Sequence, residues 1–251
     1  MGHPFEEHSE AEVPASPEEV WAAIATGPGI DSWFMGRTDV QPGADGTVRT
    51  AMGEYTMESA VTAWAPARRL AYRSDEAPDG RFIAFDFLIE GREGGSTVLR
   101  NVSTGFLPGD DWADEYEAMK LGGALYFRTL AEYLTYFAGR RALPVTASGP
   151  AGTTWVSDQA AIFRSLGLPG SAGHGDRVSF TAGSTGREDG VVYFANAATI
   201  GIRTPDALYR FIRGFGRPLV ADGKLFAPEA DPAGAQLAWE SWLSQVLSPK
   251  G

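Results

Sequence analysis

The chain has 251 residues, of which 43% are hydrophobic and 21% charged, a composition typical of a folded globular protein. Asp and Glu number 32 against 21 Lys and Arg, so the net charge is −11. That charge argues against nucleic acid and anionic membrane surfaces as partners, because both need a basic face on the protein. The sequence has no cysteine, which excludes disulfides, thiolate metal sites and cysteine nucleophiles.

The N-terminal stretch is polar and acidic and lacks the apolar core of a signal peptide. No apolar run approaches the roughly 18 residues that a membrane-spanning helix requires. We therefore expect a cytoplasmic protein with no membrane insertion.

The first predicted elements are a strand at 6–13 and a helix that begins at "SPEEVWAAIA". Ser16 can cap this helix, Pro17 occupies the tolerated first position, and Glu19 completes a capping box. The sequence "TGPG" at 26–29 is expected to end the helix, and "IDSWF" to form a second short one.

An antiparallel meander is predicted next, because strand-like segments alternate with clusters of turn-forming residues. The segments are 46–51, 54–64, 68–74, 81–90 and 96–104.

A long amphipathic helix is predicted over 111–137, with Gly122 and Gly123 at its centre. Two interior glycines cost about 1 kcal/mol each relative to alanine. Gly123 lies on the inward stripe between Met119 and Phe127, so its missing side chain either lets a strand approach closely or leaves space. We predict the second, an open cavity near the middle of the helix.

The last part of the chain is predicted to be a smaller α+β unit at 154–251, joined by a linker at 139–153 that is rich in Gly, Pro and Ala. The pattern predicts a short helix capped by Ser157, then strands, then two further helices. The predicted segments are a helix at 157–170, strands at 176–182, 190–196 and 198–204, and helices at 204–216 and 232–247. A degenerate second copy of the first unit is an alternative origin for this region.

Three stretches occur in order with fitting separations: "VPASPEEVWAAIATGPGIDSWF", "AVTAWAPARRLAYR" and "GGALYFRTLAEYL". Together they resemble the START-like helix-grip superfamily, also called SRPBCC. Within it they are similar to the Hsp90-ATPase-activator-homologue C-terminal-domain group, over about residues 6–138.

The resemblance implies an α+β helix-grip fold, in which a bent antiparallel sheet wraps around a long C-terminal helix and a hydrophobic cavity lies between them. Members of the wider superfamily bind lipids, sterols, plant hormones and polyketides, and some catalyse cyclisation. The family name does not imply chaperone binding for this chain.

Catalytic residues are sparse in the sequence. His3, His8 and His174 are the only histidines, and His174 with Asp176 is read as an exposed loop pair rather than a general base. The motifs of a nucleophile elbow, a phosphate-binding loop and a dinucleotide site are missing, and no spacing suits a metal. The acidic group at 110–117 is interpreted as support for the helix N-terminus. We expect no catalytic residue, no metal site and no cofactor.

Alternating apolar strand positions and the inward stripe of the long helix supply the candidate ligand-binding residues. They are Trp33, Phe34, Tyr55, Met57, Phe85, Phe87, Tyr116, Met119, Gly123 and Phe127. A packed core is the alternative reading of the same residues.

The favoured hypothesis is a binding protein for a small hydrophobic or aromatic molecule, acting as a monomer or homodimer. A cyclase or aromatase is the second hypothesis, with Tyr55, Tyr116, Tyr126 and Arg100 as its polar candidates. A protein-interaction or regulatory module is the third.

Overall fold

The computed structural model describes residues 2–53, 55–110, 112–181, 186–213 and 219–247. The chain divides into two compact units, Met1–Arg141 (unit 1) and Ala142–Gly251 (unit 2). Each has its own antiparallel sheet and its own C-terminal helix, so the predicted α+β class is confirmed.

Unit 1 begins with strand β1 (His3–Val13) and helices α1 (Pro17–Ala25) and α2 (Gly27–Asp31). The predicted capping box is present: Glu19 N–H donates to Ser16 Oγ at 3.2 Å, and Ser16 N–H donates to the Glu19 carboxylate at 2.8 Å. The second helix starts earlier than predicted. Gly29 N–H donates to Thr26 Oγ1 at 3.1 Å, so the "TGPG" segment starts α2 as well as ending α1.

The rest of unit 1 is a meander followed by the long helix. Its elements are β2 (Arg37–Gln41), β3 (Thr47–Met52), β4 (Tyr55–Ala65), β5 (Arg69–Ser74), β6 (Phe82–Gly91), β7 (Thr97–Leu107) and α3 (Trp112–Tyr136). The sheet order is β1-β7-β6-β5-β4-β3-β2, with every pair antiparallel. A register shift between Val61 and Ala63 bends β4.

The two faces of this sheet differ in chemistry. The inner face, which bears Phe85 and Phe87, is the one that α1 and α3 cover. The outer face carries ion pairs such as Arg100–Glu10 at 2.6 Å and Arg69–Asp86 at 2.7 Å. This arrangement of a bent sheet around a long helix is the predicted helix-grip fold.

Unit 2 has the elements β8 (Leu143–Ser148), α4 (Trp155–Ser165), β9 (Arg177–Thr181), β10 (Arg187–Asn196), β11 (Thr199–Arg203), β12 (Ala207–Ile212), β13 (Val220–Leu225) and α5 (Pro232–Leu247). Its sheet order is β8-β13-β12-β11-β10-β9. In both units the first strand therefore pairs with the last, and a long helix follows. A degenerate second copy, the alternative origin of unit 2, stays a hypothesis.

Three predictions for unit 2 are wrong. The linker at 139–153 contains strand β8, which pairs with β13 from Leu143↔Leu225 to Ser148↔Val220. The helix predicted at 204–216 is strand β12 up to Ile212, and 214–218 lie outside the described residues. Helix α4 is capped by Thr154 rather than Ser157, through Ser157 N–H at 3.2 Å.

The error at β12 has a physical cause. Residues 207–211 are buried on both faces, so their apolar pattern lacks the strict alternation of a half-buried strand. Thr204 followed by Pro205 also imitates the start of a helix. Hydrogen bonds to β11 and β13 on either side decide the conformation instead.

The space between the sheet of unit 2 and α5 is filled by aromatic rings. Trp239 lies 5.1 Å from Tyr209, 5.4 Å from Phe211 and 5.4 Å from Trp242, centroid to centroid. The gap that Trp239 shares with Tyr209 and Phe211 has no room for a water molecule. Unit 2 is therefore packed solid at the place where a helix-grip fold can hold a cavity.

Candidate functional site

The inner face of unit 1 brings together side chains from five strands. Residues paired across antiparallel strands share a face, so the register defines two neighbouring rows. The rows are Val61–Tyr72–Phe85–Ser103–Glu7 and Leu70–Phe87–Asn101–Ser9.

Three aromatic rings form the centre of this face, and we call them the aromatic floor: Tyr72, Phe85 and Phe87. Tyr72 lies 5.4 Å from Phe85 and 6.3 Å from Phe87, centroid to centroid. Phe85 and Phe87 are stacked at 6.5 Å with an interplanar angle of 17°. Burial raises the pKa of Tyr72 well above its usual value, so its hydroxyl stays protonated at neutral pH.

Burial along the inner face changes from one end to the other. On β6, Phe87 is only 3% exposed and Ile89 is buried, whereas Ile83 and Phe85 are half-buried. Because this face lies under a helix, full burial would be the ordinary outcome for large apolar residues. The half-buried side chains mark an incompletely filled end.

The inward stripe of α3 shows the same change. Leu130 and Leu134 are buried, Phe127 and Met119 are half-buried, and Gly123 is exposed. A Cβ built on Gly122 or Gly123 would meet no atom within 4 Å. A close strand is therefore not the reason for glycine at these positions. We call the open end of the space between the inner face and α3 the cleft.

The N-terminal half of α3 is tied to β1 at the mouth of the cleft. Trp112 lies 4.1 Å from the ring of His3, and Tyr116 lies 6.0 Å from Phe5. The Tyr116 hydroxyl donates a hydrogen bond to the Glu7 carboxylate, and this raises the pKa of Tyr116. These contacts hold α3 against the sheet. Near the middle of the helix, by contrast, no atom packs closely against Gly122 or Gly123.

Polar groups on the inner face include two oxygens that the fold leaves unsatisfied. Asn101 donates from Nδ2 to Ser103 Oγ at 3.0 Å. Asn101 Oδ1 and Ser59 Oγ are buried and have no hydrogen-bond partner among the described residues. Ser59 and Asn101 lie on opposite sides of the aromatic floor, on β4 and β7.

The predicted ligand-binding residues fall into several places. Phe85, Phe87 and Met57 lie on the inner face, and Tyr55 lies at the end of β4 with 58% of its surface exposed. Tyr116, Met119, Gly123 and Phe127 follow the inward stripe of α3. Their role in binding a ligand stays a prediction.

Trp33 and Phe34 differ in their surroundings. Trp33 is buried, and its indole N–H donates to the Ala23 carbonyl at 3.0 Å, so it anchors α1 to the segment after α2. Phe34 is half-buried and lies 4.8 Å from the ring of Tyr126 in α3. Phe34 therefore reaches the helix, while Trp33 packs beneath it at 5.3 Å.

Arg100, a polar candidate of the enzyme hypothesis, lies on the outer face. It pairs with Glu10 at 2.6 Å and with Glu90 at 3.0 Å, and these contacts raise its pKa. It cannot share a pocket with the aromatic floor, because the sheet separates them. Its part in that hypothesis is contradicted.

Sequence reasoning missed Tyr72 and Asn101. The alternation in "RRLAYRS" places Leu70 and Tyr72 on one face, and "STVLRNVST" places Leu99 and Asn101 on one face, so the pattern contained both. Which of the two faces turned inward depended on the pairing with β6. No local signal shows that a polar side chain on such a face lacks a partner.

Unit 2 has an open cavity of about 710 Å³ along β9, β10 and β11. The register sets Arg177, Val191 and Arg203 side by side at its wall, with Ser179 and Asp189 in the next row. A hydrogen bond from Ser179 holds the pKa of Asp189 below its usual value. None of the predicted site residues lies in this cavity.

Among the described residues, no group of three or more His, Asp or Glu side chains is placed to hold a metal ion. In the same part of the chain, no helix combines the length and the apolar character needed to cross a membrane.

No curated protein matches the chain. Solved structures that are similar to it include the di-domain ARO/CYC BexL from the BE-7585A biosynthetic pathway, which has 14% identity and a TM-score of 0.47 and matches over 98% of this chain and 100% of its own. DynU16 from the dynemicin biosynthetic locus has 15% identity and a TM-score of 0.41, with 96% of each chain covered.

The Aha1 dimer from Colwellia psychrerythraea is similar to a shorter part, at 20% identity and a TM-score of 0.42, over 54% of this chain and 99% of its own. A sequence model of one family covers the same region: residues 14–135 match the family described as activator of Hsp90 ATPase homolog 1-like protein. The resemblance to the START-like helix-grip superfamily is thus confirmed, and residues 14–135 form a domain of the activator of Hsp90 ATPase homolog 1-like family.

Proposed function

We propose that unit 1 binds a small hydrophobic or aromatic ligand in the cleft between its bent sheet and α3. The observation that carries this proposal is the change in burial along the inner face and along α3. Phe87 and Leu130 are packed, whereas Phe85, Phe127 and Met119 remain half-buried around glycines with open surroundings. Apolar and aromatic walls with few polar groups are what a small-molecule site usually offers.

The charge distribution favours an uncharged or cationic ligand. Unit 1 contains 23 acidic and 12 basic residues, whereas unit 2 contains nine of each, so the whole net charge of −11 lies in unit 1. The field of such a domain repels anions from its surface. An anionic amphiphile would meet this repulsion before it reached the cleft.

The test is ligand capture by the full-length chain. Native mass spectrometry of freshly purified protein and calorimetric titration against a panel of sterols, phenols and polycyclic aromatics should each show one bound molecule per chain. Phe85→Ala should abolish this binding while the chain still folds, because Phe85 is only half-buried. The matched control is Leu88→Ala on the outer face of the same strand, which should bind as the parent does.

Two results would contradict the proposal. One is the failure of every panel member to bind while Phe85→Ala and the parent behave alike. The other is an experimental structure in which side chains fill the cleft.

A further inference from the structure

The open cavity of unit 2 lies on the face of its sheet that turns away from α5. Val178, Val192 and Ile202 belong to the hydrophobic core that they share with Trp239 of α5. Successive side chains of a strand point to opposite faces, so their sequence neighbours, such as Arg177, lie on the other face. The cavity there measures about 710 Å³, which is within the range of small-molecule sites.

Two arginines flank one valine at the wall of this cavity. Val191 of β10 pairs with Arg177 of β9 on one side and with Arg203 of β11 on the other. Residues paired in this way share a face of the sheet, and all three line the cavity. Neighbouring strands are about 4.8 Å apart, so the Cα atoms of the two arginines are separated by roughly 10 Å. Two arginine side chains can bridge that span and meet one anion above Val191.

The charges at this wall favour an anionic group. Arg177 is exposed, and among the residues that the structure describes no carboxylate pairs with it. A guanidinium presents its N–H donors as a planar fork that fits the oxygens of a carboxylate or a phosphate. Unit 2 has nine acidic and nine basic residues, so it lacks the negative charge with which unit 1 repels anions.

The next row of the same wall has the opposite charge. Asp189 pairs with Ser179, two residues further along the strands and so roughly 7 Å from the arginine row. A hydrogen bond from Ser179 lowers the pKa of Asp189, which is therefore ionised at neutral pH. An ionised carboxylate only accepts hydrogen bonds, so the ligand group that meets Asp189 must donate one. A hydroxyl or an amine meets this requirement, and a second anion does not.

We infer that unit 2 has a ligand site of its own over β9, β10 and β11, for a small organic anion. Arg177 and Arg203 hold the carboxylate or phosphate of this ligand, and Asp189 accepts a hydrogen bond from its hydroxyl or amino group. The site is separate from the cleft of unit 1 and takes a ligand of a different chemical class. It therefore goes beyond the proposed function and does not depend on it.

The probes are glucuronate, glucose 6-phosphate, acetate and glucose, each titrated into the ¹⁵N-labelled full-length chain and followed by amide chemical shifts. The first two combine an anion with hydroxyl donors, whereas acetate has only the anion and glucose only the hydroxyls. Glucuronate and glucose 6-phosphate should shift amides at 177–179, 189–191 and 203–205, and the tighter of the two identifies the preferred anion. Acetate and glucose should each bind about tenfold more weakly, because each lacks one of the two contacts.

Substitutions assign the two rows of the wall. Arg177→Gln and Arg203→Gln should each weaken glucuronate and glucose 6-phosphate by about tenfold, with a thermal melt to show that each variant is folded. Arg164→Gln is the matched control, since it removes the same charge from an exposed position in α4 outside the cavity. Asp189→Asn should tighten acetate, because a repelling charge is removed, and should reduce the preference for glucuronate over acetate by about tenfold.

Three results would overturn the inference. If neither glucuronate nor glucose 6-phosphate shifts the amides around the cavity, there is no anion site, and the charged residues only protect the edge strand β9 from association. If both arginine variants bind these probes as Arg164→Gln does, the arginines do not hold the anion. If the preference for glucuronate over acetate survives in Asp189→Asn, the role given to Asp189 is wrong.

Discussion

Tyr116 of α3 and Glu7 of β1 are joined by a hydrogen bond across the mouth of the cleft, with the phenol as donor. The contact connects the least buried part of the long helix to the first strand of the sheet. Within α3, the fully buried residues begin at Leu125, and no described residue from 112 to 124 is buried to that extent. The two halves of α3 therefore differ in how firmly the rest of unit 1 holds them.

This difference predicts unequal local stability within one helix. Amide hydrogens at 113–121 should exchange faster than those at 129–136, because few packed contacts oppose opening of the first half. Tyr116→Phe should speed exchange at 113–121 and leave 129–136 unchanged. Hydrogen-exchange mass spectrometry measures both, with Tyr55→Phe as the control on an exposed phenol. Uniform exchange along α3 would contradict the prediction.

The glycine pair predicts a gain in stability on substitution. Nothing within 4 Å would meet a Cβ at Gly122 or Gly123, so Gly122→Ala and Gly123→Ala should each raise the free energy of unfolding by about 1 kcal/mol. Gly29→Ala is the contrasting control. A Cβ there would lie 2.0 Å from the Ala22 carbonyl oxygen, so this variant should be less stable. Urea unfolding measures all three, and a loss of stability at Gly123 would show that the helix packs closely.

A larger side chain at Gly123 is predicted to separate stability from binding. Gly123→Leu should fill part of the cleft and abolish ligand uptake, while the melting temperature stays equal or rises. Calorimetric titration with the panel of sterols, phenols and polycyclic aromatics, together with a thermal melt, measures both quantities. Retained uptake would place the ligand away from the middle of α3.

Alkaline pH is predicted to destabilise the protein through its tyrosines. Burial raises the pKa of Tyr72, Tyr133 and Tyr209, so each keeps its proton in the folded state at a pH where the unfolded chain has lost it. A raised folded pKa gives stability that is complete below the unfolded value of about 10 and declines as the pH rises above it. Urea unfolding should thus show a marked loss of stability between about pH 9 and pH 11.

The variant that checks this cause is Tyr72→Phe, which should make the decline with pH shallower. Tyr55→Phe should leave the decline unchanged, because Tyr55 is exposed. If the free energy of unfolding fell equally with pH in all three proteins, groups other than Tyr72 would cause the alkaline loss of stability.

The boundary between the units can be tested with fragments. A fragment of 142–251 retains β8, whereas a fragment of 154–251 lacks it and leaves β13 without its outer partner. We expect the longer fragment to unfold cooperatively and the shorter one to aggregate, because an unpaired strand edge invites association. Size-exclusion chromatography and circular dichroism compare the two. If the two fragments behave alike, residues 139–153 are not needed for folding of unit 2, as the predicted linker implies.

Much of unit 1 could be predicted from the sequence, because its strands are half-buried and its turns contain Gly and Pro. The capping box at Ser16 and the stripe of α3 follow from local chemistry alone. Strand β12 could not be predicted in this way, since burial on both faces removes the alternation that identifies a strand. The unsatisfied oxygens of Ser59 and Asn101 could not be predicted either, because a missing partner is a property of the assembled sheet.

The pairing of each unit's first strand with its last has a consequence for how the chain folds. β1 meets β7 through contacts such as Val13↔Thr97, and β8 meets β13 through Leu143↔Leu225, so both sheets join residues that are more than 80 positions apart. Contacts this distant slow folding, since a long loop must close before they form. During synthesis, β1 cannot pair until its partner β7, which ends at Leu107, has left the ribosome. Until then the glutamates of β1 oppose aggregation of the unpaired strand.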